Sequence, residues 1–226
     1  MPSAVKYKAV LFDLGETLIR TTNVPEIFRR ILETYGVRVV LNDVARAHEQ
    51  NVKEYDVREM AELGVVFWIK WNVKILKRLG IERDREFLAR KIDELWWDYA
   101  DLEVYPDVLE TLAQLRAKGI KLGIVTNGMS RDFQQILSRL GLTDWFDVVV
   151  GVDACKKAKP DVEIFRYALN KLNVRPEEAL FVGNSVEHDF EGAKKAGLRP
   201  LLINRDEKAP TSAETIRSLT EVLTYV

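Results

Sequence analysis

The sequence predicts an α/β chain: a doubly wound parallel sheet with helices on both faces, interrupted once by a helical insertion. Three observations carry that prediction. Short, wholly apolar runs recur along the chain, and amphipathic stretches of helical period separate them. The segment from Val24 to Glu103 breaks the alternation, since it is helical in pattern almost throughout. Apolar runs that do not alternate with polar residues suit strands covered on both faces, which is the condition of a parallel sheet.

The elements follow in order. The first run, AVLF at residues 9–12, climbs to a lone carboxylate, Asp13, and is broken by the Gly15-Glu16-Thr17 turn. The helical segment after it holds Trp68, Trp71, Trp96 and Trp97, leaving only Trp145 outside. Trp68, Trp71 and Ile75 fall on one helical face, a pattern that reads as core packing. This segment is far longer than a simple crossover, so it reads as a separate helical domain at residues 21–103. The sheet domain is then residues 1–20 and 104–226, with linkers near 19–24 and 101–106. Helical patterns at 107–119 and 130–141 each close on a glycine, Gly119 and Gly141, which suits a helix C-terminus. Further strands are expected at 121–126 (KLGIVT), 147–151 (DVVVG), 179–183 (ALFVG) and 199–203 (RPLLI).

Composition narrows the class. With 226 residues, 47% hydrophobic and 31% charged, the chain can bury a sizeable core as an ordinary globular protein. A formal net charge of −1 supplies no broad basic field, so nucleic acid is not an expected partner. The apolar runs fall well short of the ~18 residues a membrane span needs, and no membrane partner is expected. The single cysteine, Cys155, cannot form an internal disulfide. Together with the absence of a charged-then-apolar leader, it makes a cytoplasmic location the expectation. No G-x-G-x-x-G follows the first strand, which argues against a dinucleotide enzyme.

In open parallel sheets, ligands gather where loops converge at the carboxyl ends of the strands. There the sequence places Asp13 after the first strand, and Thr126, Asn127 and Gly128 after the second. Lys159 lies in the loop beyond the third; Asn184, Ser185 and Asp189 follow the fourth. Each alone is ordinary loop chemistry: a turn former, a helix cap, a solvated lysine. Together they have a logic. A carboxylate can attack phosphorus if positive charge neutralises the phosphate on its far side. A lysine and a hard divalent cation would supply that charge, and magnesium takes oxygen ligands while keeping several waters. Asp13, the main-chain carbonyl of Gly15, and Asn184 or Asp189 could provide those oxygens.

DLGETL, VTNG, AKPD and VGNSVEHDFEGAKKAG, in that order, resemble the four motifs of the haloacid dehalogenase superfamily, whose hydrolases include many phosphatases. The resemblance covers essentially the whole chain. It implies a Rossmann-like core and makes the helical insertion the cap of the subfamily that carries it after the first motif. It implies Asp13 as the nucleophile of an aspartyl-phosphate intermediate, Thr126 with the amide of Asn127 as phosphate ligands, and Lys159 as charge stabiliser. Gly128 joins the substrate-binding loop. Asn184 and Asp189 would hold Mg2+ with Asp13 and Gly15, and Thr17 would belong to the turn. The implied substrate is a small phosphorylated metabolite; the oligomeric state stays open.

Two residues depart from the family pattern. Where its phosphatases usually carry an aspartate as general acid and base, this chain has Gly15, which keeps the carbonyl but not the proton shuttle. Such a group contributes ~10²–10⁴-fold in rate, so slow turnover is expected. Glu16 and His188 are the neighbouring groups that could replace it; His48, in the cap, carries no such signal. Asn184 stands where aspartate is usual, and its neutral amide attracts magnesium less. Lys156 and Lys157 read as solvent-facing. Two alternatives remain: a phosphate-binding or regulatory module of little activity, and a 2-haloacid dehalogenase, which needs no metal.

Overall fold

In the computed structural model, residues 7–205 and 213–226 are described; the parts of the expected sheet domain at 1–6 and 206–212 lie outside them. The chain divides into two compact units, residues 1–20 with 103–226 and residues 21–102.

The first unit is built on strands β1 (Ala9–Phe12), β4 (Lys121–Val125), β5 (Val148–Val150), β6 (Ala179–Gly183), β7 (Arg199–Ile203) and β8 (Thr215–Ile216). A separate pair, β2 (Ile19–Arg20) and β3 (Glu103–Val104), sits apart from that sheet. The main sheet is parallel, in the order β5-β4-β1-β6-β7-β8. Its central strand is apolar and fully buried because both neighbours and both faces cover it. Strand order reverses between β1 and β6, since the chain winds outward through β4 and β5 and returns to β6. That reversal opens a crevice at the carboxyl ends of β1 and β6. The register sets Phe12 opposite Ile124 and Val182, so the residues that follow these strands leave the sheet at one level.

On one face, Leu11, Val125, Phe165, Leu169 and Phe181 pack into a common core. Phe165 and Phe181 meet edge to face at 5.0 Å. Burying each such side chain stabilises the fold by about 1.5–3 kcal/mol before entropic costs.

The second unit holds α1 (Val24–Thr34), α2 (Leu41–Lys53), α3 (Val57–Leu63), α4 (Val65–Arg78) and α5 (Arg85–Tyr99). Asn23 starts α1 by accepting from the Glu26 amide, a side-chain cap on an otherwise orphaned donor. Ile27, Phe28, Ile31 and Leu32 turn inward at helical spacing. Trp71 and Ile75 are buried as the periodicity predicts, and Trp68 is half-buried beside them. Tyr55, Phe67 and Trp68 surround Trp71 at centroid distances of 5.8–6.0 Å. No helix among the described residues is long and apolar enough to cross a membrane.

The remaining helices of the first unit include α6 (Val108–Ala117), α7 (Ser130–Arg139), α8 (Val152–Cys155), α9 (Val162–Leu172) and α10 (Gly192–Ala196). Two features differ from the sequence expectation. The stretches read as linkers contain β2 and β3, which pair antiparallel with Arg20 opposite Glu103 and their side chains in a salt bridge of 2.6 Å. A sixth strand, β8, extends the sheet beyond β7. Both are two-residue elements, too short for any periodicity to show.

Candidate active site

Asp13 ends the central strand, with its amide donating to the Val182 carbonyl at 2.9 Å. Its carboxylate faces the Lys159 ammonium, Nζ lying 2.6 Å from Oδ1. The same ammonium lies 2.6 Å from Oδ1 of Asp189. All three are buried, at 9%, 2% and 2% exposure for Asp13, Lys159 and Asp189. Burial of charge on this scale is tolerated only with such pairing. The other oxygen of Asp189 accepts from the Ser185 amide at 2.9 Å.

Gly183 is required at the end of β6, because a Cβ there would lie 2.4 Å from Cγ of Asp189. Asp189 itself stands in a π-helical turn, Val186–Glu191, whose start is capped by Ser185 Oγ accepting from the His188 amide. Such turns insert one residue into the helical spacing and re-aim a side chain.

Two carboxylates share one ammonium, which leaves one negative charge uncompensated in a buried site. Burial therefore pushes the Asp13 carboxyl up to about 6; Lys159 opposes the shift and Asp189 adds to it. For Lys159, burial works against the charged form, but its two carboxylate partners outweigh it and hold its pKa above the usual lysine value.

The second-strand loop stands alongside. Thr126 is buried, and its hydroxyl accepts from the Gly128 amide at 3.1 Å, which closes the Thr126-Asn127-Gly128 turn. The side chain of Asn127 is hydrogen-bonded to the backbone of Lys159. Asn184 and Gly15 are exposed.

Glu16 and His188 are the groups named for the missing proton shuttle. Glu16 adopts a left-handed backbone, φ 56°, and its carboxylate accepts from the Tyr105 hydroxyl at 3.0 Å. His188 is half-buried, its Nδ1 enclosed without a hydrogen-bond partner. His48 packs edge-on against Trp71 at 5.7 Å. Lys156 and Lys157 are exposed. Thr17 stands closer to the chemistry than its turn position implied: fully buried, it donates to Oδ2 of Asp13 at 3.4 Å.

One assembly escaped the sequence reading. Arg205, just past β7, forks onto Asp107 at 2.9 and 3.0 Å and donates to the Thr17 carbonyl at 2.8 Å. Its guanidinium also stacks 3.8 Å from the Tyr105 ring centroid. No local signal marks it, since the partners lie far apart in the chain and Arg205, Asp107 and Tyr105 fall in no motif. The assembly ties the turn behind Asp13 to the start of α6. Arg205→Ala should lower stability by about 2 kcal/mol through lost charge-assisted hydrogen bonds. That corresponds to a fall of roughly 4–8 °C in Tm for a chain of this size, measurable by calorimetry. An unchanged melting profile would remove the anchoring role.

A parallel sheet whose central strand delivers a carboxylate to a buried lysine, at the point where strand order reverses, defines a class of hydrolase. Residues 7–197 match the haloacid dehalogenase-like hydrolases, and the chain belongs to that family. It is 33% identical over 207 residues to a glyceraldehyde 3-phosphate phosphatase of Methanopyrus kandleri, covering 88% of this chain and 84% of that relative. A crystal structure of a HAD phosphatase from Thermococcus onnurineus is 31% identical with a TM-score of 0.65, covering 96% of each chain. That of a 2-haloacid dehalogenase from Pseudomonas syringae is 25% identical with a TM-score of 0.71, covering 97% of each.

Proposed function

We propose that the chain is a magnesium-dependent phosphatase of small phosphate monoesters, acting through an aspartyl-phosphate on Asp13. The observation that carries this reading is the Lys159 ammonium, 2.6 Å from both the Asp13 and Asp189 carboxylates at the end of the central strand.

Asp13 Oδ attacks phosphorus, forming the acyl-phosphate bond as the ester P–O bond breaks. The leaving oxygen takes its proton from water, because Gly15 offers none. A second water then attacks the phosphorus, passes its proton to the hydroxide left by the first, and releases inorganic phosphate as the acyl-phosphate P–O bond breaks, which restores the carboxylate. Lys159 offsets charge on Asp13 and on the phosphoryl oxygens. The Thr126 hydroxyl and the main-chain amides of Asn127 and Gly128 grip those oxygens.

Magnesium fits the donor set. All its members are oxygens: the carboxylates of Asp13 and Asp189, the Gly15 carbonyl and the Asn184 amide. The site's uncompensated negative charge favours a cation. Among the described residues no cluster of three or more His, Cys, Asp or Glu could hold a metal, so the set depends on carbonyl oxygens beside its two carboxylates. When bound, magnesium would neutralise the phosphate and draw it toward the nucleophile.

The M. kandleri relative makes glyceraldehyde 3-phosphate the first substrate to test, beside p-nitrophenyl phosphate. With Mg2+ both should release phosphate, slowly, and the aryl ester faster because its leaving group needs little protonation. Excess EDTA should stop both. Tight phosphate binding without release would indicate a binding module. Halide release from a 2-haloacid, insensitive to EDTA, would indicate a dehalogenase.

A further inference from the structure

The Asn127 side chain meets the backbone of Lys159 twice. Its Nδ2 donates to the Lys159 carbonyl at 3.1 Å, and its Oδ1 accepts from the Lys159 amide at 2.8 Å. A primary amide set against a peptide group in this way mimics a strand pairing, joining the loop after β4 to the loop after α8. Both ends of the side chain are thus engaged with Lys159.

Lys159 needs such an anchor. Its ammonium has to stand 2.6 Å from two separate carboxylates at the tip of a flexible four-carbon stem. The loop that bears it is exposed at Lys156 and Lys157 and becomes buried only at Ala158. The tip has its own supports, the two carboxylates and the Phe181 ring 5.5 Å away. The root has the Asn127 amide.

We propose that Asn127 is a positioning residue that acts through Lys159: its carboxamide holds the lysine backbone where the ammonium can bridge Asp13 and Asp189. This rests on the reading of Lys159 as the charge stabiliser of a phosphatase. A misplacement of about 1 Å at a reacting group can cost 10²-fold in rate, which sets the scale of the effect.

A double-mutant cycle on p-nitrophenyl phosphate hydrolysis tests it, with Asn127→Ala, Lys159→Ala and the double variant. Asn127→Ala should lower kcat by about 10–10²-fold with KM little changed. In the Lys159→Ala background the same change should cost less than about twofold, because the group it serves has gone. Asn127→Asp keeps the acceptor but turns an oxygen on the Lys159 carbonyl; it should behave like the alanine variant and stands in for it should that one fail to fold. Equal losses in both backgrounds, or a rise in KM alone, would overturn the proposal. The crystal structure of Asn127→Ala should show the ammonium out of hydrogen-bond reach of Asp13 or Asp189, and an undisturbed bridge would equally overturn it. That readout needs no turnover, so an inactive parent would sink the phosphatase reading while leaving this inference open to test.

Discussion

Asp13→Asn should abolish phosphate release, by at least about 10⁴-fold, while leaving the protein folded. The substitution keeps the shape of the side chain and removes its nucleophilic charge. A simple loss of structure is not expected, because the wild-type carboxylate is costly where it stands: burial pushes it up to about 6 even with Lys159 beside it. The amide relieves that cost, and Lys159 keeps Asp189 as its partner at 2.6 Å. Loss of activity should therefore come with a Tm no lower than the parent's. A variant that retains more than a thousandth of the parent rate would exclude Asp13 as nucleophile.

Gly15→Asp should raise turnover, by as much as ~10²–10⁴-fold for esters with poor leaving groups. The backbone permits it. Gly15 lies outside the left-handed region that disfavours side chains, and an added Cβ would meet nothing within 4 Å. The new carboxyl would supply a proton to the leaving oxygen and then take one from the attacking water. The gain should be large for an alkyl phosphate and small for p-nitrophenyl phosphate, whose leaving group is already a weak base. The measurement is kcat for both esters in parent and variant. Equal rates on the alkyl ester would discard the account of slow turnover by a missing acid.

The sheet was legible because buried parallel strands are apolar at every position, a pattern that survives without knowledge of their partners. Asp13 stood out against that background as a carboxylate at the tip of such a run. The order of the motifs gathered Lys159 and Asp189 at one edge of the sheet, but their ion pair was not legible, as no spacing in sequence brings residues 159 and 189 together. Thr17 was placed in the turn because its position along the chain does not reveal the direction of its hydroxyl, which the fold sends toward Asp13. The Asn127 clamp and the Arg205 assembly were illegible for a different reason. The first bonds to backbone atoms, which every residue possesses; the second unites Thr17, Tyr105, Asp107 and Arg205 from distant segments. Neither leaves a trace in composition or period. The short strands β2 and β3 were lost to length alone.

That small pair bears on how such a chain can change over time. Arg20 and Glu103 are partners across it, so the polypeptide departs from the sheet unit and comes back to it at neighbouring positions. Whatever is spliced between those points places little strain on the rest, much as a drawer slides from its cabinet. The segment between them can therefore change in length or content without moving the points at which it joins the sheet unit.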